Sequence, residues 1–255
     1  MAEHTDFSER TVIVTGAGQG IGAAIAAAFA ARGARTVVHY RSDKDAADSV
    51  VAGITENGGD AITLPAHLDL DSEVDEFFSL AEKSFGPVDV LVNNAGTFPN
   101  SPLLEITPEQ WRQMYADNVE SAFLCTRAAA RIMKRSGGGA IVNIASISAI
   151  NPGPDHAHYN SAKAAVVMFT RSAAQELGTY NIRVNAVAPG LVNRPGLEEQ
   201  WPDGVRRYRQ AAPLSRLVQP EDVANACIFL ASDAAAGITG AVLPVDSGVT
   251  SAQIY

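Results

Sequence analysis

A short apolar run, a glycine-rich turn and a helical pattern follow one another near the start of this chain and limit its possible folds. Residues 11–14, Thr-Val-Ile-Val, have the pattern of a buried strand, and Thr15-Gly16-Ala17-Gly18-Gln19-Gly20-Ile21-Gly22 comes directly after them. Apolar residues then recur at helical spacing until about Gly33. A helix that begins at such a turn presents unpaired N–H groups and a partial positive charge, and glycines let a ligand approach the backbone closely. The pattern therefore predicts a pyrophosphate-binding unit rather than a plain glycine turn.

The remainder of the chain alternates between apolar strands and helical patterns. Such alternation is typical of a parallel sheet with helices on both faces. We predict further strands at 37–40, 61–64, 88–92, 141–145, 182–187 and 241–245, and helices at 43–57, 72–84, 108–134, 158–178 and 220–231. The sequence therefore predicts a doubly wound α/β fold of the Rossmann type with about seven strands, formed by a single domain over residues 1–255.

The composition disfavours several classes of function for this chain. The 28 acidic and 19 basic residues give a net charge of −9, which disfavours binding to nucleic acid. No apolar stretch reaches the ~18–20 residues needed to cross a bilayer, and residues 1–6 do not resemble a signal peptide. Cys125 and Cys227 lie in apolar helical patterns, so we expect core residues rather than reactive thiols. We therefore expect a cytoplasmic protein that binds neither nucleic acid nor membrane.

Three later segments carry polar residues or glycine at the ends of predicted strands. Asn93-Asn94-Ala95-Gly96 follows one strand, Ser146 follows the next, and Pro189-Gly190 follows a third. Tyr159 and Lys163 stand four residues apart in a predicted helix, so their side chains share one helix face. Because ligands of open α/β sheets bind at the carboxyl ends of the strands, these segments should converge on one crevice with the glycine turn.

These residues, in this order, resemble the short-chain dehydrogenase/reductase family, in its short single-domain branch. Gly16, Gly20 and Gly22 form Thr-Gly-x-x-x-Gly-x-Gly, which differs from the commoner dinucleotide pattern Gly-x-Gly-x-x-Gly. The resemblance runs over nearly the whole chain. It implies a nicotinamide dinucleotide in the crevice and hydride exchange between a secondary alcohol and a carbonyl, as in reductases of ketones or 3-oxoacyl groups.

The resemblance also implies a catalytic set of four residues. Tyr159 would act as general acid in reduction and general base in oxidation, with its pKa lowered by the neighbouring Lys163 ammonium. Lys163 would also bond the nicotinamide ribose. Ser146 would hydrogen-bond the substrate oxygen, with Ser148 as a nearby competitor and a capping or turn role as the alternative. Asn118 would hold a water that leads protons to the lysine.

The end of the second predicted strand indicates which cofactor is preferred. An acidic side chain there bonds the 2′-hydroxyl of NAD(H), but the sequence has Arg41 and Ser42, with no acid until Asp43. Arg41 could clasp a 2′-phosphate through paired hydrogen bonds, and Ser42 could add a hydroxyl donor. We therefore expect NADP(H) to be favoured over NAD(H), with a solvated surface arginine as the alternative. Gln19 weakens this expectation, because NADP-preferring relatives often carry a basic residue there.

Two positions depart from the pattern of the family. An Asp often lies near the adenine, but that position is His67 here, with Leu68 beside it and Asp69 as a substitute if the loop is shifted. After the sixth strand many relatives carry a Thr that is Arg194 here, which leaves the backbone of Val192 to bind the carboxamide. The complete set of expected cofactor residues is Gly16, Gln19, Gly20, Ile21, Gly22, Arg41, Ser42, Leu68, Asn94, Ala95, Gly96, Tyr159, Lys163, Pro189, Gly190 and Val192.

Residues 190–215 interrupt the alternation of strands and helices and contain Pro195, Trp201 and Pro202. A long irregular insertion in a compact domain is often a lid, so we expect a substrate lid here, with an ordinary surface excursion as the alternative. The segment also holds arginines that could meet an anionic substrate or an acidic carrier protein, or form a solvated helix face. They are Arg194, Arg206, Arg207 and Arg209.

Two histidines beside Tyr159 suggest a rival catalytic role. His156 or His158 could act as a base or as a metal ligand. No cluster of Cys, His or carboxylate residues with zinc-ligand spacing accompanies them, so we expect no metal site.

Two other functions are compatible with this fold. A dinucleotide-binding sensor or scaffold without catalysis would share it, but would not need Asn118, Ser146, Tyr159 and Lys163 together. A halohydrin-lyase-like enzyme would use the Ser–Tyr pair without a nucleotide, and enzymes of that kind have lost the glycine motif that is intact here. The leading hypothesis is therefore an NADP(H)-dependent carbonyl reductase or alcohol dehydrogenase with a small-molecule substrate.

The resemblance further implies a homotetramer. Relatives are usually joined by the helices at 108–134 and 158–178 and by the C-terminal segment, here residues 251–255. Both helices contain small residues, such as Ala128–Ala130 and Ala164-Ala165, which permit close helix packing.

Overall fold

Seven strands form a parallel sheet in the computed structural model, which describes residues 5–251. They are β1 (Thr11–Val14), β2 (Arg35–Tyr40), β3 (Asp60–Pro65), β4 (Val88–Asn93), β5 (Gly139–Ile144), β6 (Ile182–Pro189) and β7 (Val242–Val245). Their order across the sheet is β3-β2-β1-β4-β5-β6-β7, and each neighbouring pair is parallel. The direction of winding reverses between β1 and β4, where the outgoing loops separate and open a crevice at the carboxyl ends of the strands. The predicted doubly wound α/β fold is confirmed.

Helices cover both faces of this sheet. They are α1 (Gly20–Ala30), α2 (Lys44–Glu56), α3 (Asp71–Phe85), α4 (Pro108–Tyr115), α5 (Ser121–Ser136), α6 (Ala157–Leu177), α7 (Leu197–Gln200), α8 (Pro202–Ala211) and α9 (Pro220–Ala231). One core includes Phe29 and Cys227, and a second includes Phe77 and Cys125 on the other face. Both cysteines are buried and free, as expected from their apolar surroundings. Within residues 5–251 no helix is long and apolar enough to cross a membrane.

Residues 108–134 are helical, as predicted, but they do not form a regular α-helix throughout. The structure has α4 and α5, joined by a five-residue π turn at Ala116–Glu120. Inside this turn the amide nitrogen of Asn118 donates to the carbonyl of Met114 at 3.1 Å, and the hydroxyl of Ser121 donates to the carbonyl of Asp117 at 2.8 Å. These side chains occupy backbone acceptors of the helix, which favours a local change in the hydrogen-bond pattern. π turns of this kind occur often at functional sites.

Residues 190–215 are more regular than the sequence indicates, because they contain α7 and α8. The hydroxyl of Tyr208 in α8 donates to the carbonyl of Asp246 at 2.7 Å, and the N–H of Leu214 donates to the carbonyl of Ser247 at 3.2 Å. The segment is therefore attached to the loop that follows β7, at the carboxyl edge of the sheet.

Candidate active site

The glycine turn between β1 and α1 packs directly against the end of β4. Gly16 (φ +61°) and Gly20 (φ +56°) adopt left-handed backbone conformations that favour glycine. A Cβ at Gly16 would lie 2.9 Å from the Cα of Ala95, and a Cβ at Gly22 would lie 2.5 Å from the side-chain nitrogen of Asn94. No side chain fits at Gly16 or Gly22 without a shift of the backbone or of this amide. We call this turn, residues 15–22, the cradle.

The N-terminus of α1 is suited to an anion. Gln19 is the N-cap residue, but its side chain makes no capping hydrogen bond, and the first turn, which begins with Gly20 and Ile21, carries no acidic side chain. The uncapped N–H groups and the helix dipole therefore place partial positive charge at the end of α1 that faces the cradle. Space left by the glycines next to such a helix end fits a dinucleotide pyrophosphate.

Thr15 and Asn94 hold the cradle against β4. The hydroxyl oxygen of Thr15 accepts hydrogen bonds from the N–H groups of Asn94 (2.9 Å) and Ala95 (3.0 Å). The side-chain amide of Asn94 donates to the carbonyls of Thr15 and Gly16, both at 3.0 Å. Asn94 was expected to contact the cofactor; here its amide shapes the cradle. Thr15 was absent from the expected set, although its place at the strand end inside the glycine motif is a usable signal.

A buried histidine also supports the cradle, and sequence reasoning missed it. The Nδ1 atom of His39 accepts a hydrogen bond from the N–H of Gly16 at 2.9 Å, and its Nε2 atom lies 3.1 Å from the carbonyl oxygen of Ala66. Since a backbone N–H can only donate, Nδ1 carries the lone pair and Nε2 carries the proton. Burial lowers the pKa of His39 to about 4, so the ring is neutral at pH 7.

Acid should destabilise the protein through His39. Its pKa of about 4 in the folded state lies below the ordinary value of 6.5, so the unfolded chain binds more protons between these two pH values. This contribution to the free energy of unfolding is complete above pH 6.5 and falls by about 3 kcal/mol as the pH decreases to about 4. Urea titrations across this range should show the loss. A His39→Asn variant, which keeps an acceptor and cannot titrate, should show a smaller loss; equal slopes would contradict the prediction.

Ser146, Tyr159 and Lys163 meet between the end of β5 and the start of α6. The hydroxyl oxygen of Ser146 accepts a hydrogen bond from the N–H of Ser148 at 3.1 Å. Ser146 therefore caps the short 3-10 helix Ile147–Ala149, as the alternative role for this residue predicts. The hydroxyl of Ser146 lies near enough to that of Tyr159 to lower the pKa of the phenol. The Nζ atom of Lys163 lies 5.7 Å from the centroid of the Tyr159 ring. The structure thus brings the three side chains together.

The predicted direction of the Tyr159 pKa is wrong for this structure. Burial raises the pKa of Tyr159, and the neighbouring Ser146 hydroxyl, which acts to lower it, offsets only part of this rise. Burial also lowers the pKa of Lys163 to about 8. The Lys163 ammonium donates to the carbonyl of Ile144 at 2.9 Å and lies over the ring, 5.7 Å from its centroid, and its charge does not outweigh the loss of water around the phenol.

Asn118, in the π turn, lies close to Lys163. Its amide nitrogen donates to the carbonyls of Thr97 (3.0 Å) and Met114 (3.1 Å), whereas its buried Oδ1 atom has no partner within residues 5–251. A Cβ at Gly96 would collide with this oxygen and lie 3.6 Å from the Nζ of Lys163. Because buried acceptors are nearly always hydrogen-bonded, the unpaired oxygen beside an ammonium is a suitable place for a water.

A cavity of about 160 Å³ lies beside the cradle, at the ends of β2, β3 and β4. Leu68 and Asp69 line it, whereas His67 does not, and the N–H of His67 instead donates to Glu73 at 2.7 Å. Arg41 also lines the cavity. The structure therefore brings Leu68 and Asp69, but not His67, to the part of the crevice where the adenine contact is expected.

The loop after β6 forms the opposite side of the crevice. Pro189 ends β6, and a side chain at Gly190 would collide with the hydroxyl of Tyr208. A bridge joins Val192 to Val218, and its two hydrogen bonds use the backbone groups of the residues on either side of Val192. The N–H and C=O of Val192 take no part in this bridge and are suited to bind an amide.

An exposed apolar side chain lies beside Tyr159. The ring of Phe98 lies 6.4 Å from that of Tyr159, centroid to centroid, and is 64 % exposed. Leu104 and Ile150, from the loops after β4 and β5, are also exposed. The exposed ring of Phe98 favours an apolar ligand beside Tyr159, at a place that we call the entrance.

The two histidines have different surroundings. The Nδ1 atom of His156 lies 2.7 Å from the carbonyl of Pro154, and its ring lies 6.1 Å from that of Tyr159. His158 is buried, and its Nδ1 atom has no partner within residues 5–251. In the described part of the chain, no three His, Cys, Asp or Glu side chains are grouped as metal ligands would be.

The chain is similar to known proteins along almost its whole length. A family model described as enoyl-(acyl carrier protein) reductase matches residues 16–250. The 3-oxoacyl-[acyl-carrier-protein] reductase of Synechocystis sp. is 40 % identical over 246 residues, which cover 96 % of this chain and 98 % of the relative. The 3beta-hydroxysteroid dehydrogenase 1 of Eggerthella lenta is 40 % identical over 250 residues, which cover 97 % and 96 %.

Two solved structures are similar along almost their whole length. A 7α-hydroxysteroid dehydrogenase in complex with NADH and 7-oxo glycochenodeoxycholic acid has a TM-score of 0.92 and 36 % identity, and 97 % of each chain is covered. A gluconate 5-dehydrogenase from Burkholderia cenocepacia, in complex with NADP and tartrate, has a TM-score of 0.92 and 30 % identity, with 99 % of each chain covered.

Proposed function

Because this chain belongs to the short-chain dehydrogenase/reductase family, whose enzymes act on CH–OH groups, we propose that it interconverts a ketone and a secondary alcohol with NADP(H) favoured over NAD(H). The observation that carries the proposal is the meeting of Ser146, Tyr159 and Lys163 beside the cradle. A binding protein without catalysis would need the cradle but not this group of side chains.

Each of these side chains has a task that its surroundings support. Tyr159 is protonated at neutral pH, since burial raises its pKa, and so it can donate its proton to a carbonyl oxygen. The hydroxyl oxygen of Ser146 already accepts from Ser148, which leaves its hydrogen to stabilise the same carbonyl oxygen as charge develops. Lys163 and the unpaired oxygen of Asn118, with a water between them, would return a proton to Tyr159.

The cradle and its surroundings would hold the cofactor. The uncapped end of α1 suits the pyrophosphate, Leu68 and Asp69 line the cavity on the adenosine side, and the backbone of Val192 suits the carboxamide. Lys163 would bond the nicotinamide ribose. When bound, the nicotinamide supplies or accepts the hydride.

The preference for NADP(H) is supported by the end of β2. Arg41 lines the cavity beside the cradle, where its guanidinium could pair with a 2′-phosphate. The nearest acid along the chain, Asp43, caps α2 by accepting from the N–H of Ala46 at 3.0 Å. Its carboxylate is therefore engaged elsewhere, and the 2′-hydroxyl of NAD(H) lacks the acidic partner that it usually finds at this strand end.

An apolar ketone is the substrate that the entrance suits best. Phe98 is exposed beside Tyr159, Leu104 and Ile150 are exposed in the loops after β4 and β5, and relatives of this chain act on 3-oxoacyl groups or hydroxysteroids. Two lid arginines are already neutralised, since Arg209 pairs with Glu198 at 2.7 Å and Arg206 pairs with Asp203 at 2.9 Å. This pairing favours the solvated helix face over a binding site for an acidic carrier.

Residues 190–215 would act as the lid, because Tyr208 ties α8 to the carboxyl edge of the sheet.

Turnover with a panel of ketones tests the proposal. We expect the native protein to oxidise NADPH, followed by its absorbance, with apolar cyclic ketones or 3-oxoacyl thioesters, and to do so more slowly with NADH. Tight binding of NADPH without turnover of any carbonyl would favour the sensor or scaffold. Release of halide from a halohydrin without any nucleotide would favour the lyase-like alternative.

We also propose that the protein is a homotetramer. Phe123 on α5 and Met168 on α6 are 42 % and 58 % exposed, and Trp111 on α4 is exposed as well, so these helices carry exposed apolar surface. Light scattering should give a mass near four copies of the 26.8 kDa chain, and a Met168→Glu variant should give a smaller mass. A monomeric native protein would disprove the assembly.

The expected contact of residues 251–255 falls mostly outside the described residues. The cytoplasmic location stays a prediction.

A further inference from the structure

An ion pair spans the cavity beside the cradle. The Nη1 atom of Arg41 lies 3.3 Å from the Oδ1 atom of Asp117, and both residues line the cavity. The Arg41 side chain is 51 % exposed, whereas that of Asp117 is 10 % exposed. The pair therefore joins a half-exposed cation at the end of β2 to a largely buried carboxylate in the π turn, across the space that the adenosine half of a dinucleotide would use.

The carboxylate of Asp117 is held in place independently of Arg41. Its Oδ2 atom accepts from the hydroxyl of Thr97 at 2.9 Å, and its Oδ1 atom accepts from the side-chain amide of Gln113 at 2.9 Å. Both donors are neutral. Arg41 is thus the only cation that pairs with Asp117 among the ion pairs within residues 5–251.

We propose that Asp117 is a specificity-determining residue for the cofactor, because it competes with a 2′-phosphate for the guanidinium of Arg41. The inference rests on the proposed function, in which Arg41 is the ligand of that phosphate. NAD(H) has a 2′-hydroxyl there, so Arg41 can keep its partner when NAD(H) binds. NADP(H) requires Arg41 to turn away, which leaves a largely buried carboxylate with neutral donors alone. Asp117 therefore weakens the binding of NADP(H) and leaves that of NAD(H) nearly unchanged.

An Asp117→Asn substitution isolates this effect. The new side chain keeps an oxygen that can accept from Thr97 and Gln113, but it no longer carries a charge that holds Arg41. We expect the dissociation constant of NADPH to fall by about five- to tenfold, and that of NADH to change by less than about twofold. Equilibrium titrations that follow nicotinamide fluorescence measure both constants without any substrate. The ratio of the two constants does not respond to a general disturbance of the π turn.

Arg41→Ala and the Arg41→Ala/Asp117→Asn double variant complete the comparison. In the absence of Arg41, the Asp117→Asn change should alter the NADPH to NADH ratio by clearly less than in its presence. An unchanged ratio in Asp117→Asn would overturn the proposal, and so would an equal change with and without Arg41, since that would be plain charge repulsion. Failure of the native protein to bind either nucleotide would instead overturn the proposed function, whereas binding of both with an unchanged ratio would refute the role of Asp117 alone.

Discussion

Replacing Tyr159 with phenylalanine should lower kcat for carbonyl reduction by at least about 10³-fold and leave the dissociation constant of NADPH within a few-fold. The substitution removes one hydroxyl and keeps the ring. That hydroxyl holds its proton at neutral pH, because burial raises its pKa, and it lies near Ser146. Stopped-flow or steady-state absorbance gives kcat, and nicotinamide fluorescence gives the dissociation constant.

The matched control is Tyr180→Phe. Tyr180 lies beyond the C-terminal end of α6, with the ammonium of Lys134 above its ring at 4.1 Å, and it is exposed. The same loss of one hydroxyl there should leave kcat unchanged. Full activity of Tyr159→Phe would remove Tyr159 as the proton donor. Loss of NADPH binding in the same variant would mean that the side chain serves the cofactor rather than the proton.

Replacing Gly22 with alanine should weaken NADPH binding by at least about 100-fold and lower the free energy of unfolding by about 2–4 kcal/mol. The new Cβ would collide with the carbonyl oxygen of Gly16 and lie 2.5 Å from the side-chain nitrogen of Asn94 and 2.9 Å from the Cα of Ala17. Two of these groups are backbone, and the third is fixed by hydrogen bonds to the cradle. Relief of the collision therefore requires the cradle to open, which removes the geometry that a pyrophosphate needs.

Gly53→Ala provides the control for this substitution. Gly53 lies inside α2, and a Cβ there would meet no heavy atom within 4 Å. Alanine is the better helix former, so this variant should keep NADPH affinity and gain up to about 1 kcal/mol in stability. Urea titration measures both proteins. Wild-type stability and affinity in Gly22→Ala would show that the cradle tolerates a methyl group and would contradict the packing argument.

Most of the scaffold could be predicted from the sequence, because local patterns carry it. The helix predicted at residues 220–231 matches α9, and each predicted strand overlaps an observed one. The cradle was recognisable as well, since a strand, a glycine turn and a helix in succession restrict the backbone by themselves. The π turn at Asn118 was not, because apolar residues continue at helical spacing through residues 108–134 and conceal the change in hydrogen bonding.

Some residues of the site lacked any local signal. His39 is a single histidine within an apolar strand. Its role depends on the pairing of β1 with β2, which brings the N–H of Gly16 to the His39 ring. Arg41 and Asp117 stand 76 residues apart in the chain, so their pairing needs the crossover from β2 to the helices after β4. The raised pKa of Tyr159 likewise depends on how closely the surrounding loops exclude water, which a spacing of four residues does not express.

By itself the sequence determined the order of strands and helices and the cradle, because periodicity and glycine act through local geometry, whereas the group of Ser146, Tyr159 and Lys163 followed from the resemblance to the family. Only the tertiary structure decided the supports of that group: the neutral His39 beneath Gly16, the unpaired oxygen of Asn118 near the lysine, and the partner of Arg41. The physical reason is that hydrogen bonds, burial and charge pairing depend on distances in space. Residues far apart in the chain come within these distances only when the sheet and its helices have assembled.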